Sequence, residues 1–66
     1  MENIKLDGLE YKVVKKIETD DYKYFYTLDI KHDNEIVILE KNKLEKNAKY
    51  QKVDEREYPI LMNKFL

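Results

Sequence analysis

Cysteine and serine are both missing from this chain of 66 residues. Without cysteine there is no disulfide, no thiolate nucleophile and no Cys-based zinc site. Without serine, Thr19 and Thr27 are the only aliphatic hydroxyls, and neither has an evident activating partner, so Ser-type and Cys-type covalent catalysis is excluded. The single histidine, His32, would need carboxylates to complete any metal site, and the single glycine, Gly8, cannot build a glycine-rich phosphate loop. Tryptophan is absent too. The longest apolar run is Ile36 to Leu39, far short of a membrane span, and Met1 to Lys5 lacks the apolar stretch of a signal peptide. These absences predict a cytoplasmic, non-enzymatic protein with no cofactor, no metal and no membrane association.

Charge of one sign is also lacking. Thirteen basic residues face 14 acidic ones, leaving a net charge of −1 in a chain that is 41% charged. Nucleic-acid binders draw most of their affinity from a basic stripe, so this balance argues against nucleic acid as a partner. High charge also raises the possibility of disorder, but 42% of residues are apolar and they cluster in alternating segments, which favours a folded chain. Lys, Asn, Ile and Tyr are abundant, as an AT-rich coding sequence would produce.

What is present is a strand grammar. Tyr22, Tyr24, Tyr26, Leu28 and Ile30 alternate along one face of a segment holding three of the six tyrosines. Asp7-Gly8 stands between Ile4-Lys-Leu6 and Leu9 to Val13, which is the pattern of a hairpin with a type I′ turn. The adjacent Val13 and Val14 change the inward face of a strand running from Leu9 to about Glu18 unless a bulge intervenes. Thr19-Asp20-Asp21 and His32-Asp33-Asn34 read as turns. Glu35 to Lys41 carries Ile36, Val37, Ile38 and Leu39 in succession, which places it in the middle of a sheet or under a helix. Asn42 to Asn47 reads as a loop and Ala48 to Val53 as a last strand, with a short helix over that region as the competing pattern. Asp54 and Glu57 have the spacing of a capping box, although a helix starting nearer Glu57 would put Pro59 in its first turn, where a missing N–H costs nothing. Leu61 and Phe65 then share the face that covers the sheet.

The short connections predict one α+β domain over residues 1–66: an antiparallel β-meander of four to five strands, about 3–53, with one C-terminal α-helix, about 55–65, packed on one face. The expected function is protein interaction, with an unknown protein partner or a second copy of the chain bound through an uncovered sheet face or an edge strand. The candidate partner-binding residues are Lys23, Tyr24, Phe25, Tyr26, Lys49 and Lys52. Phe25 points away from its tyrosine neighbours, so if the helix covers the tyrosines, Phe25 marks the second face. The alternative is a small ligand or a single-stranded nucleic acid held against Tyr22, Tyr24 and Tyr26, although strand tyrosines more commonly stabilise sheets. Lys41, Lys43, Lys46, Lys49 and Lys52 form a local basic stretch, whose commoner meaning is a solvated edge that discourages aggregation. Asp20 with Asp21, and Asp33 with Glu35, sit in turns where acidic residues are expected for backbone reasons.

Taken in order, Leu6 to Val14, Tyr24 to Leu28, Glu35 to Leu39 and Val53 to Glu57 with Phe65 resemble the YrzB-like proteins, a group of small bacterial proteins classed as a domain of unknown function. The resemblance implies a β-sheet with a C-terminal helix in a cytosolic bacterial setting, and it assigns no activity to any residue. A compact accessory protein of bacterial or phage origin that tunes a host factor fits this size.

Overall fold

The computed structural model describes residues 2–65. Five antiparallel strands lie in sequence order, β1 (Asn3–Leu6), β2 (Leu9–Glu18), β3 (Tyr22–Asp29), β4 (Glu35–Asn42) and β5 (Gln51–Lys52), and the chain closes with α1 (Tyr58–Phe65). The expected meander with a C-terminal helix is the fold observed.

Local chemistry sets each connection. Asp7 and Gly8 both have positive φ, 51° and 77°, as a type I′ turn demands. After β3, a 3₁₀ turn at Ile30–His32 is capped by Asp29, which accepts from the Lys31 amide, and Asp33 and Asn34 then take left-handed conformations. In β2 the register shifts between Val13 and Lys15. This bulge resolves the Val13-Val14 conflict without ending the strand. Tyr11 and Val13 face one side before it, and Lys16 and Glu18 face the same side after it, because one extra residue reverses the parity. The last strand is shorter than expected: it spans only Gln51–Lys52, paired with Leu39 and Glu40.

Both readings of the helix start describe part of the chain. Asp54 caps a 3₁₀ turn at Glu55–Glu57 by accepting from the Arg56 amide, and α1 begins only at Tyr58. Pro59 therefore falls in the first helical turn, where its lack of an N–H leaves no bond unmade.

The sheet curls, and each of its faces has its own core. On the helix face, Leu61 and Phe65 bury Ile38 and Val53, with Ile17, Tyr24, Tyr26, Tyr58 and Met62 packed around them. The inner face carries no helix. It closes by bringing Ile4, Tyr11, Phe25 and Leu39 together, with Tyr50 from the β4–β5 connection against them. Within this inner core the Thr27 hydroxyl donates to the Val37 carbonyl, while the Tyr11 hydroxyl, fully buried, has no hydrogen-bond partner among the described residues. Phe25 is 4% exposed, its ring edge-on to Tyr50 at 5.4 Å. Phe25 does mark the second face, opposite the tyrosines, but that face is not exposed there, because a curled sheet covers its own inner face.

Candidate functional site

The six residues singled out in the sequence do not form one surface. Phe25 is in the inner core. Tyr24 and Tyr26 lie under the helix, and the Tyr26 ring stands edge-on to Phe65 at 5.6 Å. All three strand tyrosines are half-buried, with the Tyr22 and Tyr24 rings 6.0 Å apart, so the helix covers part of this face and leaves part of it open. Lys23 is exposed at the mouth of the inner face, 3.8 Å from Glu18. Lys49 is exposed in the connection before β5, and Lys52 places its ammonium 5.9 Å from the centroid of the Tyr11 ring. No group of three or more His, Asp or Glu side chains among the described residues is placed to hold a metal ion, and no described helix is long and apolar enough to cross a membrane.

What the helix leaves uncovered is more informative. The Tyr58 hydroxyl accepts from the Ile38 amide at 3.1 Å, and the Val53 amide donates to the Ile38 carbonyl at 2.9 Å. These two bonds complete the pairing of β4 beyond the point where β5 stops, and they fix the helix over the Ile38 end of the sheet. Two residues along β4, Ile36 is left 41% exposed opposite the half-buried Leu28. The sequence placed all four residues of the Ile36–Leu39 run inside. Ile38 and Leu39 are, but Ile36 lies past the reach of an eight-residue helix.

Val14, the residue displaced by the bulge, is 55% exposed at the other side of the helix. Met62 joins the two places. It lines an apolar cleft of about 220 Å³ with Val14, Lys15, Tyr26 and Phe65. It also lines a wider one with Ile36, Tyr58, Pro59, Glu35 and Glu55. The result is an apolar strip from Val14 across Met62 to Ile36, with Lys15 at one end and Glu35 and Glu55 at the other. The doubled valine was visible in the sequence, but that Met62 connects it to Ile36 was not.

A charged border flanks the helix face on another side. Glu40 stands opposite Tyr24 in the β3–β4 register. Its carboxyl is pushed above the ordinary value of 4.5 by burial and then by the negative charge of Glu57, and burial followed by Glu40 raises the Tyr24 hydroxyl in turn. A carboxyl whose pKa is raised on folding opposes folding once ionised, so its cost is absent below its unfolded pKa and complete above the folded one. Glu40→Gln is thus expected to stabilise the protein at pH 7, by less than about 1 kcal/mol because solvent screens the site. Urea melts at pH 7 and about pH 3.5 check this: the gain should vanish at the lower pH, and a gain equal at both would assign it to something other than charge.

Comparison with family models, with curated proteins and with solved structures finds no match for this chain, so the reading of its surface rests on geometry.

Proposed function

We propose that this chain is a non-enzymatic interaction module that binds a second copy of itself through the strip formed by Val14, Met62 and Ile36. The observation that carries this reading is the strip's composition: two large exposed hydrophobic residues joined by Met62, with a basic residue at one end and two acidic residues at the other. A two-fold axis through its centre would lay one copy's Lys15 end against the other's Glu35 and Glu55 end. Such an isologous contact pairs opposite charges twice while burying the apolar middle of both copies. Methionine suits a surface of this kind because its unbranched thioether adapts to what it meets. The same proposal has the chain act in the cytoplasm as a small accessory protein of bacterial or phage origin.

The test is sedimentation equilibrium or native mass measurement over a range of concentrations, comparing the wild-type chain with Ile36→Lys. Wild type should dimerise as concentration rises, and the variant should remain monomeric. Because Ile36 is already partly exposed, the substitution should change monomer stability by no more than about 0.5 kcal/mol. A wild-type chain that stays monomeric throughout, or a variant that dimerises as well as wild type, would overturn the proposal.

A further inference from the structure

The inner face is apolar at its centre and charged at its mouth, next to the β2–β3 turn. A cavity of about 130 Å³ opens there, lined by Lys16, Lys23, Lys41, Tyr50, Glu2 and Glu18 among others. A second cleft of about 290 Å³ adjoins it, sharing Lys23 and Lys41 and adding Lys43 and Glu45. Across both, four lysines face three glutamates.

The carboxylates are unevenly shared. Lys16 has Glu2 at 2.6 Å, and Lys43 has Glu18 at 3.3 Å. Glu18 is also the one carboxylate that Lys23 approaches among the described residues, and only at 3.8 Å. Lys41 has no carboxylate within ion-pair distance among the described residues, and its ammonium lies over the Tyr50 ring, 4.9 Å from the centroid. Yet Lys23 and Lys41 are direct cross-strand partners. Like charges directly opposite on neighbouring strands destabilise a sheet. The two lysines least neutralised in this region are therefore the two whose backbones the register places opposite each other.

We infer that this mouth is a binding site for a phosphate group, free or as a phosphomonoester, held between Lys23 and Lys41 with Lys16 at its border. A tetrahedral oxyanion offers separate oxygens to both ammonium groups at once, which the single Glu18 carboxylate, already engaged with Lys43, does not. Lysine binds phosphate as a point charge and needs no planar fork. The inner cavity alone is well below the roughly 300 Å³ at which pockets begin to enclose drug-sized molecules, so it suits the phosphate group itself, while the adjoining cleft of about 290 Å³ gives room to what carries it. The Tyr50 ring is also occupied, by Phe25 at its edge and Lys41 on its face.

The experiment follows backbone amide shifts of the ¹⁵N-labelled chain during titration with inorganic phosphate, with O-phosphoserine, and with sodium chloride at matched ionic strength. Saturable shifts at Lys16, Lys23 and Lys41 with phosphate or phosphoserine, absent with chloride, are the expected result. Tighter binding of phosphoserine would identify the phosphomonoester as the ligand, and equal binding the free ion. Lys41→Gln and Lys23→Gln should each weaken binding about tenfold through loss of a charge-assisted contact. Lys31→Gln, beyond the opposite end of β3, should leave it unchanged. Amide dispersion in each variant reports that the fold is intact. Shifts no different from those with chloride, or equal weakening by Lys31→Gln, would overturn the site.

Discussion

Phe25→Ala is expected to cost about 3–5 kcal/mol, the range for truncating a buried aromatic ring. The ring is 4% exposed, it packs edge-on against Tyr50, and it shares the inner core with Ile4, Tyr11 and Leu39. A domain of this length has a total stability of about 3–10 kcal/mol, so the variant should be largely unfolded or close to it. The inner core has no helix to settle into the gap, only strands held by their hydrogen bonds, and that limits its collapse. Urea unfolding followed by far-UV circular dichroism provides the number, with Phe25→Leu as the milder comparator. A Phe25→Ala loss below about 1 kcal/mol, the scale of a surface substitution, would show that the inner face is open in solution.

The second large effect falls on the other core. Phe65→Ala should also cost about 3–5 kcal/mol, but with a different signature. Phe65 lies in the last turn of α1, 3% exposed, against Tyr26, and its carbonyl accepts from Lys15 Nζ at 2.6 Å. An isolated helix this short does not hold itself together in water, so α1 depends on its packing against Ile38 and Val53. Losing the Phe65 ring should release the helix before the sheet. Hydrogen exchange in Phe65→Ala should thus accelerate first at Leu61 to Lys64, while amides of β2 and β3 exchange only through global opening. Uniform acceleration across both cores would mean that helix and sheet unfold as one unit.

Phe25 and Phe65 pack on opposite faces of β3, and only part of that arrangement is written in the residues alone. Tyr24, Tyr26, Leu61 and Phe65 were legible as a sheet face and the helix that covers it, because alternation by two and spacing by three to four each report one side of one element. The Asp7-Gly8 and Asp33-Asn34 turns were legible because few residue types tolerate positive φ. The Val13-Val14 doublet signalled a break in the alternation, which the fold resolves as a bulge. The fate of Phe25 was not legible, since alternation assigns a residue to a face without saying whether that face is curled shut. The candidate surface was less visible still. Val14, Met62 and Ile36 are separated by 22 residues or more along the chain, and nothing local to any of them says that the others are near.

The sequence by itself determined the order of strands, turns and helix, and the kinds of chemistry that absent side chains forbid, because backbone preference and side-chain inventory are properties of single residues and near neighbours. Only the tertiary structure decided which apolar residues are covered and which charges lie together. Burial and electrostatic pairing depend on where the sheet curls and where the helix stops. In this chain those outcomes follow from how β1 and Tyr50 close the inner face, and from how Tyr58 and Val53 hold the helix over Ile38 and leave Ile36 outside.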